Sequence, residues 1–204
     1  MSKILCLSND PKIFSMYKNP ILVEKVLDIK FKSINKVSII QNLPQSKKKV
    51  NSVYNYCEKK YENILMDLYK EFNKLHKLNY PKRYWEILIG RWLIDFIFIC
   101  YKNYFTCKKA LNKKNISYYI SLPKNQFKLY TRNTIEANYA QYQTEWNFYL
   151  NSLIVKYLNP KLKSRLVNSK VKCYKMNNKI LPKGSKNKFN YTKFLNYFKF
   201  LNKF

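Results

Sequence analysis

The chain has 204 residues, 47% of them hydrophobic, and its 40 Lys and Arg against 11 Asp and Glu give a formal net charge of +29. So much apolar and aromatic content excludes a chain disordered throughout and predicts a packed core of ordinary domain size. Five Cys without a CxxC pair and a single His argue against a disulfide framework and against a zinc site, and predict reduced thiols.

The first predicted element is the apolar run at residues 4–7, stopped by Ser8-Asn9-Asp10-Pro11, which suits a buried strand ending in a loop. The polar residues around it come too soon for a signal peptide. Residues 37–40 form a second such run, closed by Asn42 and Pro44, and residues 116–122 a third, ended by Pro123. These three strands are expected to share one small sheet. Between them, from residue 50, Val53, Cys57, Tyr61, Ile64, Leu68, Phe72 and Leu75 recur every three or four residues, an amphipathic helix of about seven turns. Pro81 suits the start of a second helix reaching about residue 109. That helix is apolar nearly all round and is therefore expected to be central and covered on several sides. A third helical pattern runs from Ile135 through Trp146 to Leu158 and stops before Pro160. Beyond residue 160 the pattern weakens. The last residues, 183–204, interleave Lys and Asn with Phe and Tyr, as a basic tail or a short terminal helix would, or as a helix lying on a membrane surface would. The fold class expected is α/β, rich in helix, with a small sheet and long central helices. A domain over residues 1–160 is expected to be followed by a basic extension over 161–204.

The segment from residue 73 to 104 carries the chemistry. It holds the only His, His76, two of three Trp, Trp85 and Trp92, and one of two Gly, Gly90, together with Arg83, Glu86, Arg91 and Asp95. At 100° per residue Arg83, Glu86, Ile87, Gly90 and Ile94 share one helix face, and Trp85, Leu88, Trp92, Phe96 and Ile99 the opposite one. The tryptophan face is the expected core anchor. A glycine in a helix interior costs about 1 kcal/mol relative to Ala, so Gly90 is expected to admit another backbone or a ligand. Arg91 and Asp95, at i,i+4, are spaced to neutralise each other. Three acidic or basic residues between 84 and 101 argue against a transmembrane span, since each would cost roughly 2.5 to 3.5 kcal/mol near a bilayer centre.

This segment resembles a family of leptospiral-type transferases from bacterial surface-carbohydrate loci. The residues that carry the likeness are Leu75-His76, the run Tyr84-Trp85-Glu86-Ile87-Leu88-Ile89-Gly90-Arg91-Trp92-Leu93, and Tyr101-Lys102-Asn103-Tyr104, with a weaker echo in Glu145-Trp146-Asn147. Glu86 stands where the family commonly has Arg, Arg91 where it has Pro, and Lys102-Asn103 where it has Asp-Arg. The resemblance implies one half of a two-domain glycosyltransferase-like fold, the amino-terminal part of a surface-polysaccharide transferase that is inactive alone. It also implies a nucleotide-sugar donor, although no cofactor is expected within this chain. His76 and Glu86 are the catalytic candidates, as proton carrier and hydroxyl acceptor. Arg83, Trp85, Gly90, Arg91 and Trp92 are the substrate-binding candidates, the arginines as anion contacts and the tryptophans as packing with a sugar stack. The partners expected are a complementary transferase half and an anionic sugar or lipid-linked acceptor, in the cytoplasm and peripheral to the inner membrane. The alternative is a basic nucleic-acid-binding protein, with Lys on phosphates and aromatic rings on bases. The bias toward Lys, 36 of 40 basic residues, and toward Asn and Tyr follows A/T-rich codons and weakens that alternative, because specific recognition favours the arginine fork.

Overall fold

The computed structural model describes residues 3–8, 11–17, 19–23, 38–40, 46–113, 115–122 and 144–167. They form a helix-rich α/β unit around a five-stranded sheet in which every neighbouring pair is parallel. The elements in chain order are β1 (Lys3–Cys6), α1 (Pro11–Phe14), β2 (Pro20–Leu22), β3 (Ser38–Ile39), α2 (Lys47–His76), α3 (Lys82–Leu111), β4 (Ile116–Ser121), α4 (Thr144–Leu158) and β5 (Lys163–Leu166). The strand order is β3-β2-β1-β4-β5. From β1 the chain moves outward to β2 and β3, then returns through α2 and α3 to place β4 on the other side of β1. The β1/β4 junction is thus the point where the strand order reverses, the place at which open parallel sheets form a crevice beyond their carboxyl ends.

The three strands read from the sequence are present and share the sheet, and two more join them. A strand of a parallel sheet is covered on both faces and reads as a continuous apolar run. Leu5, Cys6 and Leu7 fit this and are buried, as are Ile21, Leu22 and Val23 along β2. β2 has only three residues and opens on Pro20, which is tolerated at a strand start because its missing N–H falls outside the ladder. β5 is different: Lys163-Ser164-Arg165-Leu166 is exposed throughout and closes the sheet as a charged edge. The guanidinium of Arg165 lies over the Tyr118 ring, 6.0 Å from its centroid, and its Nη1 donates to the Tyr118 hydroxyl at 3.4 Å.

The compact unit that holds the sheet runs from Met1 to Ser169 and includes β5, which lies beyond the expected division at residue 160. The tail after residue 182 and residues 135–143 of the third helical pattern lie outside the described residues. No helix among the described residues is long and apolar enough to cross a membrane.

Two helices of 30 residues each, about 45 Å at 1.5 Å per residue, make an antiparallel hairpin between β3 and β4. Ser46 caps α2, accepting from the Lys49 amide. At the other end Lys77 takes the left-handed conformation (φ 56°), and its N–H and that of Leu78 both reach the Asn73 carbonyl, which stops the helix. Pro81 sits one position before α3 with an extended backbone. The seam between the helices buries Cys57 and Leu65 of α2 against Leu93 and Ile97 of α3, with Ile64, Leu68 and Trp92 packed around them. This is the apolar stripe that the α2 periodicity predicts from Val53 to Leu68; Leu75, its expected last member, is exposed.

The expectation that α3 is covered on several sides holds only for its second half. Phe96, Cys100, Asn103, Tyr104, Thr106, Cys107 and Ala110 are buried. In the first half Ile87 is 70% exposed and Leu88 51%. The cause is length. α4 has 15 residues and lies along α3 where Phe96, Asn103 and Cys107 meet Trp146, Asn147 and Asn151, so among the described helices α2 is left to cover the earlier turns.

Candidate functional site

Gly90 lies at the crossing of α2 and α3 and is buried. A Cβ built on it would stand 2.7 Å from the hydroxyl oxygen of Tyr61 and 3.4 Å from Cγ of Glu86. The notch is therefore filled by the phenol of the facing helix, so a side chain, Tyr61, takes the place where another backbone or a ligand was expected. Three predicted residues gather here. Arg83 donates from Nη1 to Glu86 Oε2 at 3.0 Å, and Glu86 borders the Gly90 notch from its own helix. Lys82 pairs with Glu62 across the two helices.

Burial is the main cause that pushes the Tyr61 hydroxyl above its ordinary value; the negative charges of Glu86 and Glu62 add to it, while Lys82 and Arg83 oppose it. The phenol keeps its proton through neutral pH and stands as a donor beside a carboxylate acceptor. Two carboxylates, two cations and a protonated phenol at one helix crossing can bind hydroxyl groups or an anionic ligand.

The other predicted residues lie around this crossing without joining it. Trp85 is buried at 7% exposure, its indole N–H donating to Asn73 Oδ1 at 2.9 Å. Phe72, His76 and Tyr84 surround its ring at centroid distances of 5.1, 5.8 and 5.2 Å. His76 is exposed at the end of α2 and stacks on Trp85 with an interplanar angle of 27°. Trp92 stacks on Phe96 at 5.4 Å and packs against the hairpin seam. Arg91 pairs with Asp95 at 3.1 Å, as the i,i+4 spacing predicts, with an exposed guanidinium. The two faces read from the sequence are thus only partly kept. Gly90 and Trp85 turn inward, whereas Ile87 and Leu88, one from each face, turn out.

Tyr61, Glu62, Lys82 and Asn73 were not among the predicted site residues. Asn73 organises the turn: its side chain donates to the Tyr80 carbonyl at 2.8 Å and accepts from the Tyr80 amide at 3.1 Å as well as from Trp85. The last two motif pieces in the chain also meet. Asn103 Nδ2 donates to Asn147 Oδ1 at 3.0 Å, joining the Tyr101-Lys102-Asn103-Tyr104 step to the Glu145-Trp146-Asn147 echo across the α3–α4 interface.

A family model described as LIC12162 family transferase matches residues 3–203. The chain belongs to that transferase family. The match bears out the resemblance, strongest over about residues 53–104, and extends it over nearly the whole chain. Neither a curated protein nor a solved structure matches. The fold of this transferase-family chain is the helix-rich α/β arrangement with a small sheet and long helices that the residue pattern predicts. Among its described residues no group of three or more His, Cys, Asp or Glu could hold a metal ion. Its four described cysteines are buried thiols, and burial pushes that of Cys57 up to about 12 and also raises those of Cys100 and Cys107, which suits packing rather than nucleophilic attack.

Proposed function

We propose that this chain takes part in sugar transfer during the synthesis of a bacterial surface polysaccharide. It contributes the acceptor side of a site whose nucleotide-sugar donor is held together with a complementary transferase half. The observation that carries this reading is the family match over residues 3–203. A parallel sheet that reverses its strand order at β1/β4 supports it, because such junctions suit nucleotide-like ligands.

In this reading Glu86 accepts the proton of a sugar hydroxyl as its oxygen bonds to the anomeric carbon of the donor. The bond from that carbon to the phosphate oxygen breaks, the nucleotide leaves with the electron pair, and Tyr61 donates to a sugar oxygen beside Glu86. Arg83 and Arg91 contact anionic groups of the acceptor, and His76, at the end of α2, carries protons to and from water. Trp85 and Trp92 hold the hairpin that presents these groups. The reaction takes place in the cytoplasm against the inner membrane, where lipid-linked acceptors are found.

The test is transfer from a panel of nucleotide sugars to lipid-linked acceptors, by the full chain alone and mixed with the product of the adjacent reading frame. Glu86→Gln should lower kcat by roughly 10²-fold, the contribution of a positioned general base. Arg83→Ala should mainly raise KM. Turnover unchanged in Glu86→Gln, or no transfer in any mixture, would overturn the reading.

A further inference from the structure

The outer surface of the α2–α3 hairpin near its turn is apolar and positively charged at once. Tyr84, Ile87 and Leu88 lie at i, i+3 and i+4 on the side of α3 turned away from α2, and Arg91 continues the stripe one turn later. Leu75, 58% exposed, together with exposed Leu78 and Tyr80, brings it around the turn, and Tyr80 packs on Tyr84 with ring centroids 4.3 Å apart. Of the six basic side chains in residues 70–91, Lys82, Arg83 and Arg91 pair with Glu62, Glu86 and Asp95, so the positive charge of the stripe rests on Lys70, Lys74 and Lys77 against Glu71.

We infer that this stripe docks on the surface of a bilayer rich in anionic phospholipid. Three kinds of partner are separated by what the stripe offers. A nucleic acid would use the charge but gain nothing from exposed Ile87, Leu88 and Leu75. A second copy of the chain would use the aliphatic groups but would bring like charges together, on a molecule already at +29. An anionic membrane uses both, because aliphatic side chains enter the acyl boundary while Lys and Arg meet the phosphates. Tyr80 and Tyr84 bring the ring type that settles at the headgroup level, with an apolar body and a polar tip. The docking requires no transferase activity, so it stands or falls separately from the sugar-transfer reading.

The test is sedimentation of the full chain with phosphatidylcholine vesicles, with and without about one third phosphatidylglycerol, beside size-exclusion chromatography without lipid. The chain should pellet with the anionic vesicles and elute as a monomer without them. Ile87→Ser/Leu88→Ser should lower the bound fraction at least about tenfold, because two aliphatic groups are lost to the acyl layer. Both positions face solvent, and unchanged far-UV circular dichroism will show that the fold survives. Lys74→Glu/Lys77→Glu should weaken binding by a comparable factor through charge alone. Equal sedimentation of Ile87→Ser/Leu88→Ser and the natural chain overturns the inference. A dimer in the absence of lipid that the same substitutions split also overturns it, assigning the stripe to self-association.

Discussion

The two halves of α3 have similar apolar content and different surroundings. From Leu93 onward the helix is enclosed between α2 and α4, and its polar groups find partners there: Asn103 bonds Asn147, and the Cys107 thiol lies 3.7 Å from Asn151 Oδ1. Before Leu93, among the described residues, α2 is the helix that faces it, and the contact is made by the Gly90–Tyr61 notch, the buried Trp85 on Phe72 and His76, and ion pairs at the edge. An all-round apolar helix is therefore no assurance of all-round cover. Cover depends on how far the neighbouring helices reach, and what they leave bare is available for contact with something else.

The comparison can be broken at its strongest point first. Ile97→Ala in the enclosed half of α3, a buried side chain of the seam, should cost about 2 to 5 kcal/mol in urea unfolding. Ile87→Ala on the bare half should change stability by no more than about 0.5 kcal/mol. Similar costs would mean that the two halves are equally covered. Asn73→Ala removes three hydrogen bonds and leaves the part-buried Trp85 indole N–H without its acceptor, so roughly 2 kcal/mol should be lost. Asn73→Asp, which keeps the acceptor, should lose less.

Alkaline titration sharpens the comparison at the seam. The Cys57 thiol ionises near 9.0 when free of the fold and at about 12 within it. Between those values the unfolded chain binds fewer protons than the folded one, so stability should be intact below pH 9.0 and fall as pH rises toward 12. Cys57→Ala should flatten this decline in urea midpoints measured at neutral pH and above pH 9.0. The smallest effect is expected at Arg91→Ala, where an exposed i,i+4 pair contributes up to about 0.5 kcal/mol.

Much of this fold is legible in the residue pattern, because long helices and continuous apolar strands repeat their signal many times. Val53 to Leu75 announces α2, and residues 4–7 announce β1. β2 escapes notice because three residues beginning at Pro20 are too few to show a period, and β5 because an exposed edge strand has no buried face to mark it. At the candidate site Arg83, Glu86 and Gly90 are legible from their places on one helix face. Tyr61 is not, since on its own helix it counts as one more member of the apolar stripe, and only the register between α2 and α3 reveals where its hydroxyl goes. Asn73 is hidden for a similar reason: its partners lie 7 and 12 residues onward, across a turn whose geometry depends on Lys77 entering the left-handed region.

The most direct measurement is a double-mutant cycle on unfolding free energy between Gly90 and Tyr61. Gly90→Ala adds helix propensity of about 1 kcal/mol but pushes its Cβ against a hydroxyl 2.7 Å away. In the natural background the gain should be cancelled or reversed. With Tyr61→Phe the oxygen is gone, the nearest ring carbon lies at 3.7 Å, and Gly90→Ala should stabilise by close to the full propensity gain. If Gly90→Ala has the same effect in both backgrounds, the phenol does not occupy the glycine notch, and the helix crossing on which the candidate site is built is wrong.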